Sequence, residues 1–304
     1  MLNFKDLTLG DIKTFQPFLC YQKSRTCDYS IGGIFMWRDF FRSQFVIFQN
    51  TLILKVRYLS GATAFSVPLG ENMAAALEEL ESYCRETRLP LVYCTVPDNI
   101  LPVFRERYPR AFIQPSRDWS DYLYRTDDLL SFKGKKYDGQ RNHIHKFHRL
   151  YPDSRFVEIT EENLPRVQEF YRNYTEAYQK PGELAGEEGA KVSELLRCYA
   201  EYGLFGGFVE AGGKIVSMSV GERVNDTLFV HVEKADIRYD GAYQVTVQEF
   251  LKHFARASDK YVNWEEDVGD EGLRRSKLSY HPVALLEKNI VRSEERRVGK
   301  ECRS

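Results

Sequence analysis

The chain has 304 residues, 43% apolar and 14% aromatic, which supports packed cores and excludes an extensively disordered protein. Its net charge of −1 excludes a global field that would draw it to nucleic acid or membrane, so any such partner must be met by a local patch. The cysteines (Cys20, Cys27, Cys84, Cys94, Cys198 and Cys302) include no CxxC pair, which points away from a zinc knuckle and towards free thiols in a reducing cytoplasm; no metal is expected. The opening MLNFKDLTLGD lacks the basic-then-apolar order of a signal peptide. No run approaches the roughly 18 apolar residues of a spanning helix. A cytoplasmic location without a transmembrane segment is therefore expected.

In chain order, helices are predicted near 9–21 and 28–41. Strands SQFVIFQ, TLILKVRYL and ATAFSVPLG follow, then a helix carrying Leu77, Leu80 and Tyr83. Strand PLVYCTV, a short helix NILPVFRERY and strands near AFIQ and SDYLYR end the first half. Residues 127–152 form a basic connecting helix. The second half starts with strand RFVEI, and Thr160 is placed to cap a helix bearing Leu164, Val167, Phe170, Tyr171, Tyr174 and Tyr178. KPGELAG reads as a loop before another helix. Three strands, LFGGFVEA, KIVSMSVGERV and TLFVHVEKA, are divided by AGG and VND turns. A helix with Val247, Phe250, Leu251 and Phe254, strand KYVNWEE, a helix around EGLRRSKLS and strand VALLEKNIV complete the order.

Both halves thus read βααβββαβαβ, the order of the GNAT acyltransferase fold, and imply duplication of one α/β unit. The expected fold class is α/β (α+β), two tandem GNAT-like domains with mixed, centrally splayed sheets, at 1–126 and 153–291. Residues 292–304, RSEERRVGKECRS, have no apolar period and match the translation of a sequencing adapter, so an idle, non-native tail is expected there.

Three stretches carry candidate chemistry. In this fold a loop of the form R/Q-x-x-G-x-G/A cradles the pyrophosphate of CoA on backbone N–H groups. Here the loop is RYDGAYQ: Arg238, Gly241 and Ala242 fit in part, but Tyr243 stands where a small residue is needed, before Gln244. A pyrophosphate cradle is thus poorly supported, and Gly241 can equally mark a simple turn. The second stretch holds Lys133, Lys135, Lys136, Arg141, His143, Lys146 and Arg149, offset within it by Asp138 alone, with Tyr137, Ile144, Phe147 and Tyr151 along an apolar face. It reads either as a solvated face or as a surface for the phosphates of RNA or lipid.

The third is YVNWEEDVGDEGLRRSKLSYHP, 261–282. Strand alternation puts Asn263, Glu265 and Asp267 on one face at the end of a strand that opens into the cleft. Two like carboxylates in a partly dry cleft would raise at least one pKa, suiting a general base. Alternatively, Asp267 caps the following helix and Arg274 or Lys277 neutralises the cluster.

KGKKYDGQRNHIHKFHRLYP, GAYQ and NWEEDVGDEGLRRSKLSYHP together resemble an uncharacterised bacterial family related to the C-terminal domain of phosphatidylglycerol lysyltransferase. Its N-x-E-x-D-x-G-x-x-G-L-R-x-x-K signature falls on Asn263, Glu265, Asp267, Gly269, Gly272, Leu273, Arg274 and Lys277. The resemblance implies a tandem GNAT fold shared with Fem-type transferases. It also implies an amino acid moved from aminoacyl-tRNA, with no tightly bound cofactor, to an amine or hydroxyl acceptor, a small molecule or lipid headgroup. On this reading Glu265 and Asp267 are catalytic, and Asn263, Arg274, Lys277, Arg238, Gly241, Tyr243 and Gln244 bind substrate. Lys133, Lys135, Lys136, Arg141, His143, Lys146 and Arg149 meet tRNA. A CoA-dependent N-acyltransferase and a non-catalytic binding protein on a degenerate GNAT scaffold are the alternatives.

Overall fold

Short turns of forced geometry set the strand pairing. Gln49 and Asn50, both at positive φ, close a two-residue turn between β2 (Gln44–Phe48) and β3 (Thr51–Arg57). Gly212 and Gly213, again both at positive φ, do the same between β10 (Phe205–Ala211) and β11 (Lys214–Val224). The computed structural model describes residues 2–57, 61–178 and 183–293. The rest of the first half comprises β1 (Lys5–Asp6), α1 (Ile12–Phe15), α2 (Ile31–Met36), β4 (Thr63–Phe65), β5 (Leu69–Gly70), α3 (Met73–Thr87), β6 (Val92–Pro97), α4 (Leu101–Arg107), β7 (Phe112–Pro115) and β8 (Asp121–Arg125). Then come α5 (Thr126–Ser131), α6 (Asp138–Leu150), β9 (Arg155–Glu158), α7 (Leu164–Tyr178), α8 (Glu183–Arg197) and α9 (Tyr199–Tyr202). After β10 and β11 follow β12 (Thr227–Ala235), α10 (Ala242–Phe254), β13 (Tyr261–Asn263), α11 (Glu271–Leu278), β14 (Ala284–Leu286) and β15 (Lys288–Arg292).

The strands form two mixed sheets. The first runs β1-β2-β3-β4-β6-β15-β7, with β5 beside β3; the second runs β14-β8-β13-β12-β11-β10-β9. The halves exchange strands: β8 pairs with β13 and β14 in the second sheet, and β15 lies between β6 and β7 in the first. VALLEKNIV, expected as one strand, is therefore two, β14 and β15, one in each sheet. KPGELAG is not all loop either, because α8 begins at Glu183. The strand expected over KYVNWEE is only β13, since the chain leaves extended geometry at Glu265, φ 55°. Of the expected idle tail, Arg292 ends β15, paired with Val92 and Phe112, and 294–304, Cys302 included, lie outside the described residues.

One apolar cluster spans both halves, from Phe15, Phe35 and Leu80 to Val167, Leu195 and Met218. The opposite face of the second sheet packs against α5, α6 and α10 through Phe132, Ile144, Phe147, Val245 and Phe250. Phe147 is fully buried here, whereas Lys146 on the same helix is exposed. Phe147→Ala should lower stability by about 3 kcal/mol or more in urea unfolding. Lys146→Gln should shift it by under ~1 kcal/mol.

Candidate functional site

β12 and β13 run parallel from Thr227 and Tyr261 only as far as Phe229 and Asn263. Beyond that, Trp264 N–H donates to Tyr122 O at 3.0 Å and Tyr122 N–H to Glu265 O at 3.1 Å, so the chain follows β8 while β12 continues to Ala235. The strands splay at this point. The β11–β12 ladder shifts register there too, passing from Gly221↔Val230 to Val220↔Val232 and leaving His231 as the extra residue of a bulge. The bulge aims His231 between two carboxylates, with Nε2 2.8 Å from Glu222 Oε1 and Nδ1 2.7 Å from Glu265 Oε1. Burial alone would push the imidazole down. The bonds to both glutamates outweigh it and raise its pKa to about 10, so His231 is an imidazolium at neutral pH. Gly32 of α2 closes the back: its N–H donates to Glu222 Oε1 at 2.7 Å, and a Cβ there would lie 2.3 Å from the ring.

Glu265 is the accessible end of this chain of groups, its side chain 25% exposed. Its positive φ is held by Asn263 Oδ1, which accepts from Glu265 N–H at 2.6 Å, besides the grip of His231 on the carboxylate. Glu233, two residues beyond His231 on β12, accepts from Trp264 Nε1 at 3.0 Å, and burial pushes its pKa up to about 8.

Asp267 does not share this space, contrary to the strand reading. It is fully buried, accepting from Arg274 Nε (2.9 Å) and Nη2 (2.8 Å), Arg117 Nη1 (3.0 Å), Tyr122 Oη (2.6 Å) and Gly269 N–H (2.9 Å). Burial raises its pKa, but Arg274 and Tyr122 more than reverse this and hold the carboxyl far below the usual carboxylate range. The raised pKa expected from like-charge crowding is thus reversed here, and a carboxylate so fully engaged is no base. The helix cap is Asp270, accepting from Leu273 N–H at 2.8 Å. Lys277 donates to Trp264 O at 2.5 Å and Glu266 O at 2.6 Å, tying α11 to the loop below it, and its burial lowers its pKa.

Beside Glu265 lies a second ion cluster. Lys288 Nζ, only 2% exposed, sits 2.6 Å from Asp121 Oδ1, 2.8 Å from Asp28 Oδ2, 3.4 Å from Glu266 Oε2 and 3.3 Å from Cys27 Sγ. Burial opposes its charge, but Asp121 and Asp28 more than restore it and hold Lys288 protonated. Among the described residues one group, Cys27, Asp28 and Asp121, brings metal-ligand atoms within 4.8 Å of one another; the Lys288 ammonium is the cation that meets its carboxylates. Asn263 joins this cluster, its Nδ2 donating to Asp121 Oδ2 at 2.8 Å and Arg25 O at 2.6 Å.

The remaining predicted residues are scattered. Arg238 is exposed and paired with Asp236 at 2.6 Å. Gly241, φ 90°, starts α10 where a Cβ would be 2.4 Å from His143 O, so close helix packing requires the glycine. Tyr243 meets Tyr174, and Gln244 meets Tyr280. The basic stretch is more neutralised than its own sequence shows. Asp128 pairs with Lys136 at 3.1 Å, and Asp240 with His143 at 2.8 Å and Lys146 at 2.5 Å. Arg141 binds Asp138 and the carbonyls of Phe132 and Gly134, which precede α6. Lys133, Lys135 and Arg149 are exposed with no ion pair among the described residues.

Sequence reasoning missed His231, Glu222, Glu233, Glu266, Asp121, Cys27 and Lys288. A histidine inside the apolar strand TLFVHVEKA was the available signal. Its partners lie on other strands and helices, and no spacing rule links them.

Residues 21–292 match the family described as "Phosphatidylglycerol lysyltransferase, C-terminal". A conserved protein of unknown function from Bacteroides thetaiotaomicron is 32% identical; the match covers 97% of this chain and 100% of that one, with a TM-score of 0.90. L-PGS from Bacillus licheniformis has 11% identity and a TM-score of 0.64 over 94% of this chain and 93% of that one, a likeness of fold. An uncharacterised curated protein of Mycoplasmoides gallisepticum is 24% identical over 181 residues, 57% of this chain and 56% of that relative's length. The two-sheet arrangement is that of tandem GNAT-like proteins, and the matched family is named for a lysyltransferase. Among the described residues no helix is long and apolar enough to cross a membrane.

Asp267→Asn should cost about 3 kcal/mol at pH 7, because Arg274 and Arg117 lose their buried countercharge. A depressed carboxylate contributes stability above its unfolded pKa of ~3.9 and loses it as pH falls towards the folded value. The gap between parent and variant, read from urea midpoints, should therefore narrow below about pH 4.

Proposed function

Since the chain belongs to the phosphatidylglycerol lysyltransferase C-terminal family, we propose that it transfers an amino acid from aminoacyl-tRNA to an amine or hydroxyl acceptor. One observation carries the reading. A partly exposed Glu265, held at positive φ, stands at the mouth of the splay with His231 fixing one carboxylate oxygen. A strained non-glycine residue maintained by its surroundings is an expected feature of a reacting site. Glu265 would take the proton of the acceptor N–H or O–H as the acceptor attacks the ester carbonyl, and would hand it to the ribose oxygen as the acyl C–O bond breaks, so that a ribose hydroxyl leaves. Asp267 is withdrawn from the catalytic role and holds the loop that presents Glu265. Arg274, engaged by Asp267 and Asp118, is withdrawn as the oxyanion donor. Backbone N–H groups of β12 beyond the splay remain for that task.

The loop before α10 favours this donor over CoA. The space beside Gly241 is filled by the α6 backbone, and the neighbouring cations Arg238 and Lys146 are already engaged by Asp236 and Asp240 rather than offered to a pyrophosphate. The acceptor, a small molecule or a lipid headgroup, and a cytoplasmic setting belong to the same proposal.

Purified protein should release free tRNA from an aminoacyl-tRNA pool in the presence of acceptor extract. Glu265→Gln should slow this roughly 10²-fold or more while leaving RNA affinity unchanged. Lys133, Lys135 and Arg149 are the unpaired cations offered to phosphates. Replacing all three with Gln should flatten the log–log salt dependence of RNA binding by about 2, at ~0.7 per contact. Thermal protection by acetyl-CoA and none by tRNA would replace this reading with CoA-dependent acylation. Protection by neither, with Glu265 replaceable, would leave a binding protein.

A further inference from the structure

The carboxylate behind His231 faces a cavity of its own. Glu222 Oε1 accepts both Gly32 N–H and His231 Nε2, at 2.7 and 2.8 Å. Oε2 takes no hydrogen bond among the described residues, and the Glu222 side chain is 8% exposed. Glu222 is among the residues lining a cavity of about 410 Å³ where residues 16–31 meet β10 and β11, with Gln16, Cys20, Ile31, Tyr202 and Asn225. Its size lies within the ~300–1,000 Å³ of small-molecule sites. Arg223, the one cation on its wall, is held by Asp259 at 2.7 and 2.8 Å. Among the described lining residues Glu222 is the one carboxylate, and with Arg223 engaged elsewhere a cationic group entering the cavity meets it uncontested.

From this geometry we infer that the cavity is a second ligand site, taking a small primary ammonium compound whose N–H donates to Glu222 Oε2. The ligand carbon chain would lie along Leu19, Ile31 and Tyr202. Because Glu222 also holds His231, occupancy is felt at the imidazole. The inference goes beyond the transfer chemistry, and binding here stands or falls independently of it.

The test uses full-length protein labelled with ¹⁵N at histidine, with ethanolamine as probe and ethylene glycol as its uncharged counterpart. Ethanolamine should shift the His231 imidazole signal saturably, and ethylene glycol should not. Affinity should fall at least tenfold in Glu222→Gln. It should fall likewise in Gln16→Trp, which narrows the mouth from an exposed position and leaves the core untouched. No saturable shift, an equal response to ethylene glycol, or unchanged affinity in Gln16→Trp would overturn the inference.

Discussion

An ammonium shut away from water holds the two sheets together. Lys288 begins β15, which is inserted into the first sheet, and Asp121 begins β8, which crosses into the second. Their contact at 2.6 Å therefore pins both exchanged strands at their starts. With Asp28 and Glu266 alongside, the negative charge exceeds the one ammonium, and removal of that ammonium would leave buried like charges facing one another. Asn263 reaches this cluster from the end of β13 and hands its geometry on to Glu265, whose N–H it caps. The interface between halves and the candidate site are one hydrogen-bonded structure.

The charges around the splay are sorted by depth. Asp267 is walled in by Arg117, Arg274 and Tyr122 and anchors the loop. His231 is walled in by Glu222 and Glu265 and stays positive. Glu265 combines a carboxylate fixed by His231 with a side chain that stays 25% exposed. Asp267 and Glu265 draw on different cations, Arg117 and Arg274 for the one and His231 for the other.

Legibility in the sequence followed the range of each interaction. Strand runs, turn residues and helical periodicity reproduced the order of elements because these depend on neighbours within a few positions. Asn225 and the Gly212–Gly213 pair marked turns where positive φ is needed. The alternation rule failed at Glu265 because β13 is only three residues long, and the side-chain partners beyond it override the pleat. The neutralisation of Lys146 by Asp240, 94 residues away, had no local trace.

The sequence by itself determined the α/β order, the duplicated plan, the apolar faces, and the family signature through 263–277. The tertiary structure alone decided which carboxylate is buried as an anchor and which stays partly exposed. It alone exchanged β8 and β15 between sheets, and set His231 between Glu222 and Glu265. Apolar periodicity is a property of one segment and its own geometry. Charge pairing and desolvation depend on what another part of the chain places within about 3 Å, and only the folded chain fixes that.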